Sequence, residues 1–543
     1  MRIALFFISC FILSFGLIAQ EKDAYWIHFK DKNEQVNLLD RPSVFLSEQA
    51  ISRRNLQGIP IDHSDLPVSE IYLTAVRGLG IHTVFASRWF NMVSVLMNEE
   101  DIRNLKQLEF ISEITKQHGF KKNDRVENVF VSDFDTSLIL VDEYYGFAIN
   151  QIKMLSGIDL HNLDYKGQGM TIAVLDAGFN SADILPVFEN AWNANRIKIG
   201  PDFVRGNDTL VDFSHSNHGT FVLGFMASEL ENMYVGTAPL ADYVLIRTEN
   251  APTENIVEEH CWLAGAEYAD SLGVDLINSS LGYTTFDDSL QNHTYEDLDG
   301  NTTLITNAAD MAASKGILVV NSAGNSGARA WHYISAPADA DSVLTVGSVD
   351  GLGVSSPFSS HGPTADNRIK PNVAAHGQNI FTISIDSAFY PSQGTSFSAP
   401  VITGMAACLW QYKRDSVAVS IGNMDIISLI ENSSSLFPFS NPDLGFGIPN
   451  FELASALLSL NEFDQGFVEV FPNPFKNNIH VEMDKQGIFA YQLVDLYGRI
   501  IFQDRMEEAV RVLDIQIPST VSRGNYLLTI ETANGSIVKK LIK

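Results

Sequence analysis

The 543 residues are too many for one ordinary domain and predict two or three. With 45% hydrophobic and 19% charged residues, the composition is that of a well-cored globular protein and excludes a disordered one. A formal net charge of −29 argues against nucleic acid or anionic lipid as a partner.

The opening "MRIALFFISCFILSFGLIAQ" has one Arg, an unbroken apolar run and a small Ala19, the pattern of a secretory signal peptide over 1–19. Cys10 lies inside the apolar run and not at the cleavage point, which argues against a lipid anchor. No later stretch is long and apolar enough to cross a membrane. Beyond the signal only Cys261 and Cys408 remain, too few for a disulfide framework. Each sits in an apolar helical pattern, which predicts buried free thiols.

Residues 20–145 read as a small α+β unit, from about 24 to 115, followed by a linker. "YWIHFK" is strand-like, "LSEQAISRRNLQG" is a helix ending at Gly58, and "NMVSVLMNEEDIRNLKQLEFISEI" reads strand–helix–strand. "KQHGFKKNDRVENVF" is polar and charged, an exposed connection.

Over 146–462 the pattern changes. "MTIAVLD", "YVLIRT", "VDLINSSLG", "GILVVNSAG" and "SVLTVGSV" are apolar, β-branched runs without alternation, most of them separated by helical stretches. Buried parallel strands with crossover helices give this alternation, and their reactive residues gather beyond the carboxyl ends of the strands. Residues 465–543 carry 9 Lys+Arg against 9 Asp+Glu, so the whole acidic excess lies before them. Their short strands, with Asn534-Gly535 as a hairpin signal, predict a separate small β-sandwich.

Three short motifs carry chemistry in the parallel α/β unit. "TIAVLDAG" ends a strand in Asp176, "SNHGTFVLGFMA" opens a small-residue helix at His218, and "QGTSFSAP" places Ser396 at the mouth of an apolar helix. Each has a plain structural reading: a turn-forming Asp, a capping or core His, an N-cap Ser. Together they have the residue types that activate a hydroxyl. A Ser needs a base, His has the suitable pKa, and a carboxylate fixes its tautomer. "ILVVNSAGNSG" adds Asn325, either an ordinary turn residue or an amide donor for an oxyanion.

These motifs, with "SLGY" and the closing "GFGIPNFELASA", resemble the subtilisin-like serine protease family over roughly 150–460. The resemblance implies an α/β fold with a helix-flanked parallel sheet and a secreted endopeptidase made as a zymogen. It implies a triad of Asp176, His218 and Ser396, with Asn325 as oxyanion donor. Ser280, Leu281 and Gly282, and Ser322, Ala323 and Gly324, would be the two walls that hold the substrate before the cut, with a floor near Ser335. Ala177 and Phe221 stand where many relatives have Ser and His. Residues 24–115 resemble the inhibitor-like propeptide of these proteases. Residues 465–543 resemble the sorting domain of the type IX secretion system of Bacteroidetes. The partners implied are protein or peptide substrates, the chain's own propeptide and that secretion machinery, with a route through the periplasm to the surface or medium. No cofactor is required for this catalysis, and the acidic surface leaves structural calcium open. The rival readings are a processing protease with one narrow substrate, and a catalytically dead surface-binding relative. The second would be expected to lose at least one of the four catalytic residues.

Overall fold

The computed structural model describes residues 23–117, 141–206, 209–416, 421–462, 468–483, 488–495, 500–518, 520–522, 524–532 and 535–543. The expected signal peptide, most of the expected linker and Asn534 of the expected hairpin lie outside them.

The N-terminal unit contains β1 (Asp23–Phe29), α1 (Glu48–Gln57), α2 (Glu70–Gly78), β2 (His82–Ser87), β3 (Met92–Met97), α3 (Glu99–Leu105) and β4 (Ile111–Gln117). Its four strands form an antiparallel sheet in the order β2-β3-β1-β4. The expected helix ends at Gly58, which caps it in the left-handed conformation (φ 68°). Ile27, Val93, Val95, Leu73 and Val76 fill the space between sheet and helices.

The central unit opens with α4 (Ile149–Met154), α5 (Ile158–Asn162), β5 (Thr171–Asp176), α6 (Glu189–Asn193), β6 (Ile197–Asp202) and α7 (His218–Ala227). A short pair follows, β7 (Glu229–Leu230) and β8 (Tyr234–Val235), then β9 (Asp242–Arg247), α8 (Val257–Leu272), β10 (Leu276–Ser279), α9 (Leu304–Ser314) and β11 (Leu318–Ser322). It closes with β12 (Leu344–Val349), β13 (Val373–His376), β14 (Gln378–Ile383), β15 (Phe389–Gln393) and α10 (Thr395–Ser416), and a last helix spans Phe451–Glu462. Seven parallel strands make one sheet in the order β13-β12-β11-β10-β5-β9-β6. Helices cover both faces, so β10, β11 and β12 are buried at every residue, which is why the sequence shows no polar alternation there. On one side of β5 the chain goes first to the edge strand β6 and comes back to β9 beside β5; on the other it runs outward through β10, β11, β12 and β13, and the change of direction opens a crevice beyond the strand ends.

The two units share a core. Trp26, Trp89 and Met92 of the N-terminal unit pack with Leu175, Trp262 and Leu263 of the central one. Around that apolar contact lies a buried polar network on α8. Arg53, Arg54 and Arg88 all donate to the Asp270 carboxylate, which is fully buried. Glu267 accepts from Ser87 Oγ and from the backbone N–H groups of Arg88 and Trp89. From the far end of α1, Gln57 donates to Gly316 O (2.8 Å).

The C-terminal region is two antiparallel sheets, of three and four strands, closed over Ile479, Val481, Leu493, Ile515, Leu528 and Ile530. Of the two thiols expected to be buried, Cys408 is, whereas Cys261 is only partly so. Cys261 lies on the side of α8 that borders an inter-unit cavity.

Candidate active site

Asp176 is the last residue of β5 and is fully buried. His218 is the first residue of α7, and its Nδ1 lies 2.9 and 3.0 Å from the two Asp176 carboxylate oxygens. Gly219 makes this approach possible. A Cβ there would stand 2.5 Å from Gly178 O and 2.9 Å from the Asp176 Cβ, and its own N–H donates to Gly178 O (3.0 Å). The Ala177 N–H also donates to Asp176 Oδ1 (2.7 Å), which fixes the carboxylate.

Ser396 is the second residue of α10 and not its N-cap. Its Oγ donates to Ser280 O at 3.3 Å. Pro400, four residues on, has no N–H for the Ser396 carbonyl, and the Ser280 hydroxyl fills that gap at 2.9 Å. Thr395 ties three pieces together. Its N–H and hydroxyl donate to Asn325 Oδ1 (2.9 and 3.1 Å), and its Oγ1 accepts from the Gly324 N–H (3.1 Å). With Oδ1 engaged on Thr395, the Asn325 Nδ2 is the end of that amide available to another acceptor. The Phe397 N–H donates to Gly394 O, so the first-turn donor between these two belongs to Ser396 itself.

One cavity of about 290 Å³ gathers these groups. It is lined by His218, Ser280, Leu281, Gly282, Ser322, Gly324, Asn325 and Ser396, together with Ser335. Asp176 stands behind His218, and Ala323 is wholly buried under the second wall. Thr395 and Pro400 were not expected at the site although both lie in the quoted motif, because a lone hydroxyl and a proline carry no reactive signal of their own. Nor were Glu249 and Glu254, which line the cavity from a segment without a motif.

That segment, 249–258, divides the cleft from a larger cavity of about 890 Å³ between the two units. Asn250, Thr253, Asn255 and Glu258 face the larger space, opposite Phe85 of β2. Burial, with the charges of Glu249 and Glu254 adding to it, pushes the Glu258 carboxyl up to about 10.

Comparison with known sequences fits this geometry. The subtilase family pattern matches residues 167–452, more than half of the chain. The chain belongs to the subtilase family. A peptidase S8 propeptide domain of Bacteroidota matches residues 24–129 of the protease, and a secretion system C-terminal sorting domain matches 469–543. The M-protease of Shouchella clausii is 26% identical over 370 residues, 67% of this chain and 85% of that protein. Subtilisin BL of Lederbergia lenta is 28% identical over 296 residues, 54% of this chain and 94% of the relative. The serine protease AprX of Bacillus subtilis is 27% identical over 318 residues, 53% and 66% respectively. The subtilase is a serine endopeptidase with a propeptide, and it ends in a domain of the kind that directs export to the surface or medium. Among the described residues, no helix is long and apolar enough to cross a membrane.

Proposed function

We propose that the protease cuts peptide bonds through Asp176, His218 and Ser396 by way of an acyl-enzyme, with Asn325 as oxyanion donor. The observation that carries this is the His218 Nδ1 contact to both Asp176 oxygens, made at the edge of the same cavity that holds Ser396 and Asn325. With Nδ1 held by Asp176, Nε2 is the ring nitrogen that takes the proton. Ser396 Oγ attacks the substrate carbonyl carbon while its proton passes to Nε2. The carbonyl oxygen becomes an oxyanion, bonded by Asn325 Nδ2 and the Ser396 N–H at the positive end of α10. The C–N bond breaks as His218 returns the proton to the leaving amine. Water then repeats the sequence on the ester, releasing the acid and restoring Ser396. This scheme calls on no cofactor.

The segments Ser280, Leu281, Gly282 and Ser322, Ala323, Gly324 are taken as the walls that hold the substrate on the acyl side. The N-terminal unit is taken to be cut away by the enzyme itself, and the C-terminal region to pass the chain through type IX secretion. A fluorophosphonate probe tests the core of the scheme, because it labels only activated serines. Wild type should label at Ser396 and His218→Ala should not. Equal labelling of the two would refute the scheme.

A further inference from the structure

Two histidines that the catalytic scheme does not use stand side by side on neighbouring loops. His332 lies between β11 and β12, and His361 between β12 and β13. Their ring centroids are 5.2 Å apart, with the planes 25° from parallel. The backbone ties the two loops together here: the His361 N–H donates to His332 O, and the Ile334 N–H to His361 O, each at 3.1 Å. The same backbone sets the tautomer of both rings. His332 Nδ1 lies 3.1 Å from Ala330 O, and His361 Nδ1 lies 3.3 Å from Gly362 O. A carbonyl oxygen only accepts, so each Nδ1 carries the ring proton and each Nε2 keeps a lone pair. Packing holds the pair in place. Tyr333 lies against His332 (centroids 4.1 Å) and stacks on Tyr295 (4.0 Å), whose hydroxyl donates to Pro363 O (3.0 Å). His332 keeps its pose in the left-handed region (φ 45°), a conformation that persists in a non-glycine residue where the surroundings impose it. Both residues are half-buried, so solvent reaches them.

We propose that His332 and His361 bind one late-transition divalent cation, such as Zn²⁺, through their two Nε2 atoms, with water completing its coordination. A hydrogen bond from the other ring nitrogen to a carbonyl is the support that orients a metal-binding histidine and raises its basicity. The spacing agrees. Two imidazoles that meet on a tetrahedral ion, each at about 2.0–2.1 Å, hold their centroids about 5 Å apart. The ligand type sets the class of ion: imidazole nitrogen suits zinc, copper and nickel, whereas calcium and magnesium take oxygen donors. Among the described residues no third His, Cys, Asp or Glu joins the pair, so the ion takes its other ligands from solvent and exchanges. Bound there, it links the loop that carries Arg329 and Ser335 to the loop that carries Ser360. All three residues line the cleft, so the ion braces one side of it without touching Asp176, His218 or Ser396.

The test uses untagged Ser396→Ala proprotein, to prevent self-digestion, with Zn²⁺ as its chloride. Diethylpyrocarbonate, which acylates accessible neutral imidazoles, is followed ring by ring through peptide mass. Zn²⁺ at about ten times its Kd should slow modification of His332 and His361 together by roughly tenfold, and a chelator should restore both rates. Calorimetric titration then compares this protein with versions that also carry His332→Asn or His361→Gln. Asn is chosen at 332 because it accepts the left-handed backbone. Each change should weaken the site at least about tenfold, and the double variant should bind no worse than the weaker single one. Histidines elsewhere contribute the same background to every protein. Protection of neither ring, or of one ring alone, overturns the proposal. Equal Zn²⁺ binding by the parent and both variants also overturns it, as does displacement of the ion by equimolar Ca²⁺. Should a variant fail to fold, the protection measurement on the parent chain decides by itself.

Discussion

Asp270→Asn, introduced into the uncut proprotein, should loosen the N-terminal unit without harming the enzyme it covers. The substitution keeps the side-chain volume and one acceptor oxygen but removes the only charge that Arg53, Arg54 and Arg88 share. The side chains of these arginines are 3%, 0% and 11% exposed, so water cannot replace the lost carboxylate. Breaking a buried ionic network in this way costs about 3–5 kcal/mol. Arg54 also pairs with Asp65 at 2.9 Å, which favours the lower end, about 3 kcal/mol, or roughly a hundredfold in docking strength. The assay is urea unfolding of Ser396→Ala proprotein with and without Asp270→Asn, followed through tryptophan fluorescence because Trp26 and Trp89 lie in the interface core. All three arginines belong to the N-terminal unit, so mature enzyme carrying Asp270→Asn should lose less than about 1 kcal/mol. A proprotein loss below about 1 kcal/mol, or an equal loss in the mature enzyme, would refute the reasoning.

The same network has a pH signature. Burial alone would raise the Asp270 carboxyl, but the Arg88, Arg53 and Arg54 charges outweigh it and hold it below its ordinary value. Its contribution is therefore present above the ordinary carboxylate range and lost as pH falls through the lower folded value. Docking measured by unfolding should be flat from neutral to about pH 5, weaken below about pH 4, and lose that acid-sensitive part in Asp270→Asn. Asn325→Leu should leave the fold intact and lower kcat on the order of 10²–10³ with little change in KM, the scale on which subtilisin depends on such a donor. Steady-state kinetics showing a large KM effect at unchanged kcat would contradict its role. Ser396→Ala, purified away from other proteases, should accumulate as proprotein lacking only its signal, whereas wild type yields a pro-fragment and a shortened chain. Cleavage of the variant at the same place and rate would point to an external convertase. Removal of 465–543 should leave an active protease when the rest is refolded, yet strand it in the periplasm of its host. Normal appearance of the truncated chain in the medium would exclude the sorting role.

Much of this architecture was legible in the sequence because it depends on local pattern. "TIAVLD" reads as a doubly covered strand since, after its opening Thr171, no residue in it is polar until Asp176, and Gly58 marks the end of α1 because only the left-handed conformation closes that turn. The reactive residues were legible because Asp, His and Ser are chemically distinctive and each sits at an element's end. What remained hidden depends on partners distant in the chain. Arg53 and Arg54 read as the polar face of a helix, yet their shared acceptor, Asp270, lies more than two hundred residues away. Pro400 reads as a helix oddity until Ser280 is seen on the carbonyl it frees. Cys261 sits in an apolar run, but that run borders a cavity, so the pattern overstated its burial.

The segment 249–258 has one side on the cleft and the other on the space beneath β2. In the proprotein it is a partition between two rooms, the rear one roofed by the N-terminal unit. Maturation removes the rear room. The same stretch then becomes an outer rim, wetted on the side where Asn255 and Glu258 had been sheltered, and a strip with fewer buried contacts opens at lower free-energy cost. Zymogen and enzyme thus share one set of reactive groups but differ in the stiffness of the wall beside them.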